Sequence, residues 1–343
     1  KLIRTGSPYA VAPFRVKKDD GTPYRVFTPF YKSWVIHGWR KPAPKFKKEP
    51  NWIKPLKNEG RPKVKSEIEI PKAGEKNALD LFTKFLKNGI KGYDQNRNRP
   101  DLEGTSKLSI PLRFGEIHPR TILAELNDSK DHDTYRKEIC WREFYAEVLA
   151  TAPESETQSL DQKWELMGWD LEKDYKQKLK IWQEGKTGFP LVDAGMRQLK
   201  ESGWMHNRVR MVVASFLVKD LHIHWRHGAN WFMKHLLDGD IASNSHGWQW
   251  TAGCGTDASP YYRIFNPMMQ AEKFDPNAEY VRKWIPELRH LKGINAHTPW
   301  DQVDGYKNGY PERMVDHQVE RDETLRRYKA SKGEKVIKEK FSR

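Results

Sequence analysis

Trp204-Met205-His206-Asn207-Arg208-Val209-Arg210-Met211, then Asp238-Gly239-Asp240, Asn244 and Trp248-Gln249-Trp250, form the most informative stretch of this chain. Surfaces rarely carry so many tryptophans, and cores rarely carry so many charges. The mixture suits a cavity that holds a large, flat, polar aromatic ligand and receives a second aromatic group. Trp204, Asn207, Arg208 and Met211 fall at i, i+3, i+4 and i+7, on one helix face. A solvated basic face would leave Trp204 and Met211 unexplained. Arg208 and Arg210 can meet phosphates or a flat ring, and Asn207 can donate and accept toward a base.

Outward from this stretch the pattern is helical. Ala78, Leu81, Phe82, Phe85 and Leu86 make an amphipathic stripe. A helix capped by Asp133 or Thr134 is expected to run to about Leu149, with others over Tyr175–Glu184, Leu191–Glu201, Met205–His224 and Gly228–Leu237. Alternating strand patterns are nearly absent beyond Ser66–Ile70. Residues 1–40 read as loops and a short helix, too little for a domain. Residues 41–75 read as a lysine-rich linker marked by Pro42, Pro44, Pro50, Pro55, Pro62 and Pro71. Residues 76–343 read as all-helical, with a charged, peripheral tail from Arg321 to Lys340.

The chain has 343 residues, with 61 basic and 46 acidic side chains and a formal net charge of +15. That excess points to a polyanion, nucleic acid first. Fourteen tryptophans interleaved with arginines fit stacking on bases or on a cofactor. Cys140 and Cys254 are the only cysteines, which implies no disulfide framework and a reducing compartment. No apolar run approaches the roughly 20 residues of a membrane span. No signal peptide is visible, and the sequence begins at Lys1 without an initiator Met.

Other constellations are weaker. Glu138, Trp141 and Tyr145 share a helix face, where a carboxylate could accept a base N–H while the rings stack; an aromatic core stripe is the plainer alternative. Gly104-Thr105-Ser106-Lys107-Leu108-Ser109 offers hydroxyls and amides to a phosphate but lacks P-loop spacing. Asp238-Gly239-Asp240 with Asn244 lacks the ligand pattern of a calcium loop, since Ala242 and Ser243 stand where an oxygen ligand and a glycine are needed. His222, His224 and His227 diverge on a helix and complete no zinc set, so no metal is expected. No Ser-His-Asp or Cys-His arrangement stands out.

The order of motifs nevertheless resembles the photolyase/cryptochrome family. Tyr93-Asp94-Gln95, Glu103 through Ser109, Trp141-Arg142-Glu143-Phe144-Tyr145, Trp182 through Gly188, Gly203–Met211, Asp238-Gly239-Asp240, Asn244, Trp248-Gln249-Trp250 and Tyr262 through Pro267 occur in the family's order. They cover about residues 20–320 and are most similar to bacterial class I cyclobutane pyrimidine dimer photolyases. The resemblance implies a mainly α fold: a helical FAD-binding domain over 76–343, preceded by a linker and, in residues 1–40, a remnant of an α/β antenna domain. The antenna chromophore, folate or deazaflavin, is left undetermined.

By that resemblance Tyr93, Thr105, Ser106, Lys107, Leu108 and Ser109 hold the FAD phosphates and ribityl chain. Arg210 and Asp238 form an ion pair beside the isoalloxazine within Asp238-Gly239-Asp240, Asp240 accepts from the ring, and Asn244 faces it. Glu138, Trp141, Tyr145, Asn207, Met211 and Trp250 would line the pocket for a flipped dimer, with Glu138, Asn244 and Met211 closest to the chemistry. Arg97, Arg208, Arg263 and Lys273 would contact the DNA backbone. Asn207 and Met211 stand where the six-four type has histidines. Trp248 and Trp225 match the first two members of an electron-transfer chain, whose end is Trp169 or Tyr175, with Trp169 favoured. The implied activity is light-driven repair of cyclobutane pyrimidine dimers by a monomeric, cytoplasmic, DNA-associated lyase. The rivals are a cryptochrome-like photosensor and a flavin-free nucleic-acid-binding protein.

Overall fold

The structure, a computed structural model, describes residues 6–44, 48, 51, 60, 65–256 and 262–332. Pro50, Pro55 and Pro62 of the expected linker, and the end of the charged tail, lie outside them. The described residues form fourteen α-helices: α1 (Phe27–His37), α2 (Glu75–Asn88), α3 (Tyr93–Asn96), α4 (Ser109–Phe114), α5 (Pro119–Ala124), α6 (Lys130–Thr151), α7 (Glu172–Gln183), α8 (Pro190–Ser202), α9 (Asn207–Lys219), α10 (Trp225–His235), α11 (Ile241–Ala252), α12 (Pro267–Phe274), α13 (Glu279–Trp284) and α14 (His317–Ser331). Ser66–Ile70 is not a strand but a turn, in which Ser66 Oγ donates to Ile68 O at 2.7 Å.

The long helix expected over Met205–His224 is two helices with a break. His206 caps α9 by accepting from Arg208 N at 3.2 Å. After Lys219 the chain turns, and His222 adopts a left-handed φ of 55° that a continuing helix cannot contain. His224 then caps α10. Apolar periodicity runs through such a turn unbroken, because Leu221 and Ile223 are fully buried on either side of it. On α6, the start falls at Ser129 rather than at Asp133 or Thr134.

Two apolar cores meet at α6 and α11. One gathers α8, α9 and α10 with Trp182, Trp225 and Trp248. The other joins Ala10, Val11, Phe30 and Trp34 to α2 and the buried face of α6. The N-terminal residues are fastened there by Glu143. Its carboxylate accepts from Ala10 N at 2.5 Å, Val11 N at 3.0 Å and the Trp34 indole at 2.7 Å. Burial pushes the Glu143 carboxyl up to about 7 against those donors, which favour its charged form. One turn on, Glu147 accepts from Phe14 N.

The tail is less peripheral than its charge pattern predicts. Thr324 is fully buried and donates to Lys219 O at 2.6 Å. Buried His317 meets Asp220 at 2.5 Å. One stripe of α14 is thus core, hidden in the sequence among the arginines and glutamates that face water.

Candidate functional site

A partly open cavity of about 510 Å³ is lined by α6, α9, α11 and the loop before α4, within the usual size of a cofactor pocket. It brings together residues that lie far apart in the sequence. Tyr93, Arg97, Thr105, Ser106, Lys107, Leu108 and Ser109 line it beside Glu138, Trp141, Tyr145, Asn207, Arg208, Arg210 and Met211. Asp238, Gly239, Asp240, Asn244, Trp248 and Trp250 line it as well.

Helix α11 explains part of this convergence. Asp240 caps it, accepting from Ser243 N at 2.8 Å. Asp240, Ser243, Asn244, Gly247, Trp248 and Thr251 then repeat at helical spacing and all line the cavity. A Cβ at Gly247 would meet no protein atom within 4 Å, so bare backbone borders open space there. Asn244 is steadied by donating through Nδ2 to Ala229 O at 2.9 Å.

Charge is arranged in two places. Arg210 donates to Asp238 Oδ2 at 2.8 Å, with the carboxylate only 3% exposed. Its other oxygen, Oδ1, is buried without a protein partner, as is the indole N–H of Trp248. Such groups in a cavity wall call for a ligand. Elsewhere Arg97 approaches Glu138 Oε1 to 2.9 Å. Burial raises the Glu138 carboxyl, with Arg97 and Arg208 opposing. Burial and then Arg97 lower the Arg208 guanidinium, with Glu138 opposing.

The loop before α4 is shaped by two backbone features. A Cβ at Gly104 would stand 2.8 Å from Asn96 O, so only glycine passes there without a shift. Lys107 takes a left-handed φ of 53°, a strain that collects at ligand loops. Its ammonium pairs with Glu103 and lies 5.9 Å from the Trp204 ring.

Four expected residues do not line the cavity. Arg263 lies 5.1 Å from the Trp250 ring and so adjoins it. Lys273 packs over Phe274 at 5.4 Å, and Arg208 covers that ring at 4.4 Å. Trp225 is fully buried and donates to Ser159 Oγ at 3.1 Å. Trp169, partly buried, donates to Trp164 O at 3.1 Å. Tyr175, the other candidate terminus, packs on His227 with ring centroids 4.7 Å apart.

Sequence reasoning missed Arg113, Tyr135, Arg142, Ser243 and Gly247 as lining residues. Tyr135 stands one turn before Glu138, and Ser243 and Gly247 share the α11 face, so helical spacing could have found them. Arg142 stands one turn after Glu138 on α6 and was open to the same reading, whereas Arg113, which reaches Gly239 O across the fold, carries no such local signal.

A helical cavity that joins a hydroxyl-rich loop, a buried ion pair, indoles and guanidiniums suits a protein that holds a nucleotide cofactor. Residues 135–330 match the family described as "FAD binding domain of DNA photolyase". The chain is 39% identical to the deoxyribodipyrimidine photo-lyase of Vibrio cholerae, over 94% of this chain and 71% of that protein. Its identity to the Escherichia coli protein of the same name is 41%, over 90% and 68%. The crystal structure of a class III photolyase from Agrobacterium tumefaciens superposes with a TM-score of 0.80 at 38% identity, covering 95% of this chain and 72% of that one. A Synechocystis cryptochrome gives 0.74 at 29%, covering 88% and 68%. This chain belongs to the DNA photolyase family.

Proposed function

We propose that this protein is a deoxyribodipyrimidine photolyase that binds FAD in the cavity and repairs cyclobutane pyrimidine dimers in DNA under light. The observation that carries the reading is the convergence of the Arg210–Asp238 pair, Asn244, the Thr105–Ser109 loop and two tryptophans, Trp141 and Trp250, on one space.

The residues present fit FAD. Asp238 Oδ1 is a buried acceptor in want of a donor, Gly247 leaves room for a flat ring, and Lys107 and the hydroxyls of Thr105, Ser106 and Ser109 suit phosphates. FAD held there by Arg210, Asp238 and the Thr105–Ser109 loop would supply, once reduced and excited by light, the electron needed to split the cyclobutane ring. All else is the work of the chain. Basic side chains, among them Arg97, Arg208, Arg263 and Lys273, hold phosphates in a salt-sensitive way. Extruding the poorly stacked dimer costs about a few kcal/mol, offset by contact with Trp141, Tyr145, Trp250, Asn207 and Met211. Glu138 offers a polar contact to the bases, and Asn244, steadied by its bond to Ala229, turns its amide to the flavin.

Trp248, Trp225 and Trp169 form the route by which oxidised flavin is recharged. Residues 1–40 are the end of an antenna domain, 41–75 a linker and 76–343 the flavin domain, with the antenna group left open. The working unit is a monomer in the cytoplasm; Cys140 and Cys254 are free, and no helix among the described residues is long and apolar enough to cross a membrane.

The test is repair of a thymine-dimer oligonucleotide by dithionite-reduced protein in blue light and in darkness. Light-dependent recovery of thymines is expected. Bound flavin without repair would favour a cryptochrome-like photosensor, and absence of flavin would overturn the reading.

A further inference from the structure

Trp225 is fully buried, whereas Trp169 is partly exposed. The ring that touches both is His224. Its imidazole centroid lies 5.1 Å from Trp169, edge to face, and 5.6 Å from Trp225 at an interplanar angle of 32°.

The imidazole is hydrogen-bonded through Nδ1, and its Nε2 faces a carboxylate. Nδ1 accepts from Arg226 N at 3.2 Å, capping α10, so a neutral ring carries its proton on Nε2. Nε2 faces Glu165 Oε2 at 3.3 Å. The other oxygen of Glu165 accepts from Ser159 N at 3.1 Å, and Ser159 Oγ accepts from the Trp225 indole at 3.1 Å. Hydrogen bonds therefore tie Trp225 to Ser159 and Ser159 to Glu165, whose second oxygen faces His224, and the His224 ring meets Trp169. Helix capping alone calls for no carboxylate on the far nitrogen and no indole on either side.

We propose that His224, faced by Glu165, is the bridging residue between Trp225 and Trp169: its ring conducts the electron that refills Trp225, and the Glu165 charge favours the electron-poor indole that results. The inference rests on the proposed tryptophan route. In the step, one electron passes from the Trp169 indole to Trp225 after Trp225 has surrendered one toward Trp248. Trp169 is left one electron short and is refilled by a thiol reductant in solution. The two hydrogen bonds that join Trp225, Ser159 and Glu165 fix positions only, and no proton need move in the transfer itself.

Charge on the imidazole would oppose the step. Burial lowers the His224 pKa, Glu165 counters this, and Arg226 and His227 add to the lowering. The ring is therefore neutral at neutral pH, and refilling slows in acid as it takes a proton.

The experiment compares His224→Asn, which keeps a cap acceptor but removes the aromatic ring, with His224→Phe, which keeps a ring but removes cap and charge. Full-length FAD-loaded protein is illuminated with dithiothreitol, and flavin reduction and the lifetime of the tryptophan radical are followed by transient absorption from acid to neutral pH. His224→Asn should slow reduction several-fold and shorten the radical lifetime. His224→Phe should keep most of the rate and lose its fall in acid. Repair by dithionite-reduced protein should be the same in both. A fast His224→Asn and a slow His224→Phe would reduce His224 to a helix cap and overturn the proposal. Trp225→Phe is the control, since undiminished photoreduction there would sink the tryptophan route itself rather than the bridge.

Discussion

Gly228 of α10 and Trp248 of α11 are in such close contact that a Cβ on the glycine would stand 2.1 Å from the indole Cη2. The indole is also boxed by Phe232, 5.0 Å away edge to face, and by Trp182 at 6.1 Å. A rigid ring held on three sides cannot yield as a flexible side chain does. Gly228→Ala is expected to destabilise the protein by about 1–3 kcal/mol and to slow flavin photoreduction by displacing Trp248. Thermal unfolding and photoreduction rate measure the two effects, and an unchanged value of both would mean that α10 and α11 separate freely.

Asp238 is the acceptor for Arg210 and keeps one oxygen for a ligand. Asp238→Asn is expected to weaken FAD binding by about 2 kcal/mol, roughly thirtyfold, as for a lost hydrogen bond to a charged group. Flavin absorbance per purified chain and titration of the apoprotein with FAD measure this. Full flavin content at low FAD concentration would remove Asp238 from the cofactor site.

Glu138 also lines the cavity, beside Arg97 and Arg208. Glu138→Ala is expected to lower repair yield on a dimer oligonucleotide while leaving flavin content intact. Equal yields from the variant and the parent would take Glu138 out of the repair step.

His206 gives a pH signature. Burial first, then Arg208, Arg210 and Arg97, lower its pKa to about 3. Nδ1 serves as the cap acceptor only when unprotonated. Because the folded value is depressed, its share of stability is present above the ordinary value of 6.5 and is lost as pH falls from there toward 3, at up to about 1.4 kcal/mol per unit. His206→Asn keeps a cap acceptor without a titrating ring, so its urea-unfolding free energy should fall less between pH 7 and pH 5. Parallel losses in both proteins would assign acid sensitivity to another group.

Glu143→Ala would strip the acceptor from Ala10 N, Val11 N and the Trp34 indole together. Unsatisfied buried donors cost about 1–3 kcal/mol each, so a loss of at least about 3 kcal/mol is expected. The opposite face of α6 carries Glu138 and Trp141, and flavin content should fall with it. An unfolding midpoint within error of the parent would show that the N-terminal segment is not held by this carboxylate.

Much of this protein was legible before its structure. The α2 stripe of Ala78, Phe82 and Phe85 is buried as its spacing predicts, and α8 runs Pro190–Ser202 where Leu191–Glu201 was expected. Most of the residues that the motifs single out also line the cavity. Helix α11 was harder to foresee as one face, because Asn244, Gly247 and Trp248 mix polar, empty and aromatic positions that no apolar periodicity marks. The break at His222 and the buried stripe of α14 escaped for the converse reason, since apolar spacing can continue through a turn and charges can surround a core threonine.

By itself, the sequence determined α2, α6, α7, α8 and α10 and the chemical inventory of the site, because helical periodicity and motif spacing are set by neighbours a few residues apart. Only the tertiary structure decided that Glu143 grips Ala10 across 133 positions, that Arg142 reaches Pro8, and that the ring standing between Trp225 and Trp169 is that of His224. Those pairings depend on how helices pack against one another, where a single oriented hydrogen bond or ring contact selects one partner among many chemically equivalent candidates.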